Sequence, residues 1–186
     1  MQTIQPIQIE NATGPMLRIL EAVTSEQSAF LNEEGALSNM MKTLAQSPCA
    51  VEGYVQFNQK LAHGKLGAKF REQIALAVAQ ANRSEYSLSQ HASTARMLGL
   101  TKEEINASRE GRAGDAKTRT ALQFAQALVN QTAGCEAGDL RKAGYSDPEI
   151  VEIVSQVALN VFENIFNTVA KTDVDFPRIG DLAVAA

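Results

Sequence analysis

The chain has 186 residues, a formal net charge of −4 and 45% apolar residues, which suits one domain with its own core. No dense Lys/Arg cluster is present, which argues against nucleic acid or an anionic membrane as a partner. We expect neither a membrane span, which needs roughly 18 apolar residues, nor a secretory signal. Because Cys49 and Cys135 lie far apart, we expect free, structural thiols and a cytoplasmic protein.

Helical periodicity runs through almost the whole sequence, and no alternating run is long enough for a strand. Residues 1–12 and 177–186 are predicted to be loose ends of a single domain over residues 1–186. Between them, predicted helices begin at caps such as Ser47 and end at breaks such as Gly99. The fold class is therefore all-α, a bundle of about eight or nine helices. The predicted helices begin near residues 15, 37, 48, 67, 84, 101, 115, 136 and 148.

The last predicted helix, about residues 148–172, carries a wide apolar stripe. A stripe of this width predicts a helix that is central in the fold or shared with another subunit. Asn160, Asn164 and Asn167 interrupt the stripe. These three amides could reach the site or bond across subunits, but the simplest interpretation is that they face solvent.

The stretch ANRSEYSLSQH has the spacing of a redox motif without its thiols. Ser84 and Ser87 are spaced S-x-x-S, and His91 follows by one helical turn, so its ring can lie beside the Ser87 hydroxyl. Glu72, on the preceding helix, is a candidate to orient the imidazole. At a helix N-terminus, thiols beside an imidazole would be reactive thiolates. Hydroxyls there are far too weakly acidic, and oxidation by peroxide is sulfur chemistry.

These residues resemble the alkylhydroperoxidase (AhpD)-like, carboxymuconolactone decarboxylase family, in its peroxidase-related branch. The family's core motif has a Glu, a Cys-x-x-Cys twelve residues later, and a His four residues past the second Cys. Glu72, Ser84, Ser87 and His91 fall on those four positions without a gap. The core motif spans residues 70–98, and flanking segments such as LAQSPCAVEGY and LTKEEI agree with relatives.

The resemblance implies an AhpD-like helical bundle that assembles into trimers or hexamers. In active members the second cysteine attacks a hydroperoxide and the first resolves it as a disulfide, while the His and the Glu relay the proton. Carried over, Ser87 holds the attacking position, Ser84 the resolving position, and His91 with Glu72 the relay. The implied partners are further copies of the chain, a small hydroperoxide and a dithiol reductant.

The serine pair departs from the family pattern at both redox positions. Either two cysteines were replaced by near-isosteric serines, or the gene encodes serines and the protein has lost or changed its redox function. Ser84 also suits a plain helix cap, and His91 a hydrogen-bonded core residue. Tyr86, between the serines, either lines a pocket or packs in the core. A Ser–His–Glu hydrolase is disfavoured, because the sequence lacks the G-x-S-x-G elbow.

Three functions are open to this sequence. The first is a peroxidase-related antioxidant protein that lacks its redox thiols as written. The second is acid–base chemistry by His91 and Glu72 on a small organic acid, as in the decarboxylase branch, which works without the cysteine pair. The third is a non-catalytic oligomeric protein that binds a small ligand. With two histidines and no Cys/His cluster, no metal ligands and no cofactor-binding residues are predicted.

Overall fold

The computed structural model describes residues 2–12, 14, 30–132 and 136–178. Within these ranges the chain is all-α, as predicted, and its only extended pairing is one bridge between Leu31 and Leu37. The helix predicted near residue 15 and the residue Cys135 lie outside the described ranges. A 3-10 turn, Ile9–Asn11, precedes the helices. The helices are α1 Asn39–Leu44, α2 Pro48–Ala62, α3 Ala68–Ala81, α4 Glu85–Met97, α5 Lys102–Arg109, α6 Ala116–Asn130, α7 Ala137–Lys142 and α8 Asp147–Ala170.

Local capping interactions set the helix starts. The hydroxyls of Ser47 and Thr101 each accept a hydrogen bond from the backbone N–H three residues on. Two capping boxes form: Glu104 and Glu149 accept from the backbone N–H of Thr101 and Ser146, at 2.8 and 2.7 Å. The described helices therefore begin within about two residues of their predicted starts.

Helix α3 is central among the described helices. It packs against α4, α5, α6 and α8, and residues 74–79 on it are all buried. Their side chains are Ala, Leu, Ile and Val, which let neighbouring helices approach closely. Glu72 precedes this run by less than one turn, so it lies where α3 borders both α4 and α8.

The described segments near both termini contact the bundle, whereas residues 179–186 of the predicted C-terminal loose end lie outside the described ranges. The N-terminal segment is extended, yet Gln2 is buried and its Nε2 donates to Thr43 Oγ1 at 2.7 Å. Near the C-terminus, Asp175 accepts a hydrogen bond from Tyr86 Oη at 2.9 Å. Tyr86 is a member of a hydrophobic core cluster, so it packs in the core. Cys49 is exposed rather than packed, so its thiol is not part of the core.

Helix α8 buries polar as well as apolar side chains and exposes apolar ones. Asn160, Asn164 and Asn167 are at most 4% exposed, so the prediction that they face solvent is wrong. They share the inward face of α8 with the buried Glu163, and the side-chain amides of Asn164 and Asn167 have no hydrogen-bond partner among the described residues. Among the described residues, no helix has the length and hydropathy that crossing a membrane requires. The large apolar side chains exposed on α8 are Val151, Val154, Phe162, Ile165 and Val169.

Candidate functional site

Ser84 both closes α3 and opens α4. Arg83 adopts a left-handed backbone conformation (φ 55°), and the Ser84 N–H donates to Ala79 O at 3.0 Å across the end of α3. This is the Schellman pattern of a helix C-terminus. The Ser84 hydroxyl then accepts from the Ser87 N–H at 3.4 Å as the N-cap of α4. Two consecutive local motifs therefore fix the position of Ser84.

The two serine side chains lie side by side at the first turn of α4. Ser84 Oγ donates to Ser87 Oγ at 3.1 Å, and the two residues are 5% and 0% exposed. The N-terminus of a helix favours negative charge. The structure therefore brings the two predicted redox positions together, buried, at the end of the helix that would stabilise an anion.

His91 is held between two carboxylates. Its Nδ1 lies 2.9 Å from Glu72 Oε2, and its Nε2 lies 3.1 Å from Glu163 Oε2. The contact with Glu72 is the one that the sequence predicts. The hydrogen bond to Ser87 that the one-turn spacing allows is not formed within the described site. Hydrogen bonds to a carboxylate are stronger than those between neutral groups. The His91 ring has one such acceptor on each side, from α3 and from α8.

The two carboxylates determine the protonation of His91. Burial disfavours the imidazolium, but the negative charge of Glu72 and the hydrogen bonds to Glu163 and Glu72 outweigh it. They raise the pKa of His91 to about 10. At neutral pH the ring is therefore a cation that donates from both nitrogens. Neither nitrogen is free to accept a proton, so His91 cannot act there as a simple general base.

Glu163 and Tyr54 belong to the site, although sequence reasoning missed them. Glu163 is 2% exposed, and its Oε1 accepts from Tyr54 Oη at 2.8 Å. Burial and the charge of Glu163 raise the pKa of Tyr54 well above its ordinary value, so the phenol remains a donor. One signal could have found Glu163: it is the only charged residue between Ile153 and Ala170.

The site is thus one row of hydrogen-bonded side chains, Tyr54–Glu163–His91–Glu72. With both carboxylates ionised, the row carries one positive and two negative charges. The Glu72 side chain is 18% exposed and that of Glu163 is 2% exposed. Glu72 is therefore the member placed to exchange protons with solvent. No group of three His, Cys, Asp or Glu in the described ranges could hold a metal ion.

Comparison with known proteins gives matches to one family and to one fold. The sequence model of the carboxymuconolactone decarboxylase family matches residues 48–128. No curated protein matches the sequence. Among solved structures, the chain is similar to a peroxidase-related protein from Silicibacter sp., with 19% identity, a TM-score of 0.76, and 98% of this chain and 97% of that chain covered.

Two further solved structures have the same fold. One is an alkylhydroperoxidase AhpD core, peroxidase-related protein from Ralstonia eutropha, with 19% identity, a TM-score of 0.75 and 94% of each chain covered. The other is the debrominase Bmp8, with 20% identity, a TM-score of 0.75, and 97% and 96% covered. The segment matched to the family contains Glu72, Ser84, Ser87 and His91. Residues 48–128 are therefore similar to the carboxymuconolactone decarboxylase family, and the chain has an AhpD-like fold.

Proposed function

We propose that the chain is a peroxidase-related protein whose site retains the frame for thiol-dependent hydroperoxide reduction but holds hydroxyls at both redox positions. The observation that carries this proposal is the serine pair. Ser84 Oγ and Ser87 Oγ are 3.1 Å apart and buried at the start of α4, and a disulfide needs side chains that are close and face each other. Two of the structural relatives are described as peroxidase-related.

With thiols at both positions, the proposed reaction has three steps. The thiolate at position 87 attacks a hydroperoxide, so that the O–O bond breaks, an S–O bond forms, and the alkoxide takes up a proton and leaves as an alcohol. The thiol at position 84 then attacks the sulfenic sulfur, which forms a disulfide and releases water. A dithiol reductant restores both thiols by exchange and is itself oxidised to a disulfide.

The surrounding charges favour this chemistry for sulfur but not for oxygen. The start of α4 and the His91 imidazolium both lower the pKa of a neighbouring thiol. A serine hydroxyl stays protonated in the same field and is not oxidised by peroxide. We therefore expect the chain with Ser84 and Ser87 to be inactive toward hydroperoxides.

The proposal is tested by treating the reduced Ser84→Cys/Ser87→Cys variant with one equivalent of an organic hydroperoxide. Peptide mapping should find an intramolecular disulfide between positions 84 and 87. The matched controls are the two single variants, which retain Cys49 and Cys135 but cannot form that bond. A double variant that stays fully reduced, or that forms only disulfides involving Cys49 or Cys135, would contradict the proposal.

A second candidate function is acid–base chemistry on a small organic acid, which the family match over residues 48–128 favours. Because both His91 nitrogens are engaged, Glu72 would be the group that takes up and releases the proton. This candidate predicts that Glu72→Gln abolishes turnover of a small lactone or dicarboxylate, whereas Ser84→Ala does not. Equal turnover by the parental chain and Glu72→Gln would eliminate it.

We also propose that the chain is a homo-oligomer, a trimer or hexamer, in which a second copy covers the exposed face of α8. On this face Phe162, Ile165 and Val169 are 42%, 58% and 63% exposed. From Ile153 to Ala170 the only charge is the buried Glu163. A contiguous apolar face without charge is typical of a protein interface, and a second copy of the same uncharged face would meet it without repulsion.

Sedimentation equilibrium tests this interface with a matched pair of variants. Ile165→Glu places a charge on the exposed face of α8, and Met97→Glu places one on an apolar side chain that is equally exposed, at 61%, but lies on α4. We expect Ile165→Glu to dissociate the assembly and Met97→Glu to leave it intact. A parental chain that is monomeric, or an Ile165→Glu variant that keeps the parental mass, would refute the proposal.

A further inference from the structure

We propose that Glu163, oriented by Tyr54, is the positioning residue of the site: it fixes the His91 ring and keeps it cationic, while Glu72 exchanges protons with solvent. The two carboxylates on His91 therefore have different roles. This inference rests on the proposed function only in treating His91 as a site residue.

The first support is the number of contacts on each carboxylate. Glu163 uses both oxygens, since Oε1 accepts from Tyr54 at 2.8 Å and Oε2 accepts from His91 at 3.1 Å. Glu72 uses one oxygen, on His91 Nδ1 at 2.9 Å, and no other hydrogen bond holds its side chain within the described ranges. A carboxylate bonded at both oxygens inside a packed helix interface cannot rotate without losing a contact. Glu163 is therefore the fixed partner of His91.

The second support is the difference in burial. The Glu163 side chain is 2% exposed and that of Glu72 is 18% exposed, and Tyr54 covers the far side of Glu163 at 6% exposure. A buried carboxylate is costly unless it is paired and hydrogen-bonded. His91 is the cation that pairs with Glu163, so each of these two residues stabilises the charged form of the other. Glu72 is the carboxylate of the pair that has access to water.

The titratable groups around His91 and Glu163 come from three helices. Glu72 lies on α3, Glu163 on α8 and the neutral phenol of Tyr54 on α2. A fixed imidazolium near the first turn of α4 favours negative charge at positions 84 and 87. Of the two carboxylates on His91, Glu72 is the one that solvent reaches more readily.

Nitrogen-15 NMR of the imidazoles tests the positioning role without any assay of activity. The chain contains two histidines, so His63→Gln assigns the signals. Glu163→Gln removes one carboxylate charge and should lower the pKa of His91 by about 1 to 3 pH units. Tyr54→Phe removes one hydroxyl and leaves the charge, so it should shift the His91 Nε2 signal while the ring stays cationic. Tyr86→Phe, another buried tyrosine outside the row, is the matched control and should change neither.

Exchange with solvent separates the two carboxylates. We expect the His91 Nδ1–H, which faces Glu72, to exchange faster than the Nε2–H, which faces Glu163. The proposal is overturned if Glu163→Gln leaves the pKa of His91 at its parental value, or if Nε2–H exchanges as fast as Nδ1–H. If Glu163→Gln does not fold, identical Nε2 signals in Tyr54→Phe and Tyr86→Phe overturn it.

A kinetic comparison links the inference to the proposed function. In the Ser84→Cys/Ser87→Cys background, Glu163→Gln should lower kcat/KM for hydroperoxide by up to about 100-fold and move the pH profile, since a displaced imidazole no longer supports the thiolate. An unchanged profile in an active background would count against the positioning role. If that background is itself inactive, the proposed function fails, and the NMR results still decide the role of Glu163.

Discussion

Loss of the His91 proton should destabilise the fold at alkaline pH. Folding raises the pKa of His91 from 6.5 to about 10. A group whose pKa is higher in the folded state contributes stability that is fully present below its unfolded pKa and is lost as the pH rises through its folded pKa. Between pH 6.5 and about 10 the free energy of unfolding should therefore fall by about 1.4 kcal/mol per pH unit from this group.

Substitution of the imidazole isolates this contribution. The His91→Gln variant has no imidazole to bind this proton. Its free energy of unfolding should therefore not show the decrease with pH that His91 causes between pH 6.5 and about 10. Titratable groups outside the row are present in both chains, so their contributions cancel in the difference. Since 10 minus 6.5 is 3.5 pH units, the stability advantage of the parental chain over His91→Gln should shrink by up to about 5 kcal/mol across the window.

The assay is urea unfolding followed by circular dichroism, at one-unit steps from pH 6 to pH 10. His63→Gln is the control, because His63 is exposed and outside the site. We expect the curve of His63→Gln to follow that of the parental chain. If His91→Gln and the parental chain instead lose stability in parallel, His91 does not hold an extra proton in the folded state, and the interpretation of the site as a clamped imidazolium is wrong.

Two local predictions concern helix ends and are measured by the same unfolding assay. The Thr101 hydroxyl caps α5 by accepting from the Glu104 N–H at 3.2 Å. Thr101→Ala removes this cap and should lower the free energy of unfolding by about 1 kcal/mol. An unchanged unfolding midpoint would show that the cap contributes nothing. Arg83 has a left-handed backbone (φ 55°), a conformation that costs a residue with a side chain about 1 kcal/mol. Arg83→Gly removes this cost, so the free energy of unfolding should stay equal or rise. A loss of stability would mean that the Arg83 side chain makes a compensating interaction.

The predictable part of this fold is the part determined by neighbours in sequence. The capping residues Ser47, Thr101 and Ser146 act within three positions, so short motifs locate the starts of their helices. The apolar run of α3 repeats within one helix, so periodicity identifies its buried positions. The serine pair and His91 lie on two successive turns, so their common location on α4 also follows from spacing alone.

The features that the sequence did not predict depend on contacts between distant segments. Tyr54 and Glu163 meet across 109 positions, and neither has a spacing that points to the other. The same cause explains the error at Asn160 and Asn164. Amide side chains on a helix favour solvent when only their polarity is considered, but packing of α8 against the other helices buries these two positions. A single carboxylate in the otherwise uncharged stretch from Ile153 to Ala170 was the available indication that the inner face of α8 carries polar residues.

The central claim is tested most directly by dithiol-dependent consumption of an organic hydroperoxide, measured side by side on the parental chain and on Ser84→Cys/Ser87→Cys. We predict that the double variant consumes hydroperoxide with dihydrolipoamide over many turnovers and that the parental chain does not, although both contain Cys49 and Cys135. Turnover by the parental chain would place the chemistry elsewhere in the molecule. Absence of turnover by a folded double variant would contradict the assignment of this site as a thiol-peroxidase frame.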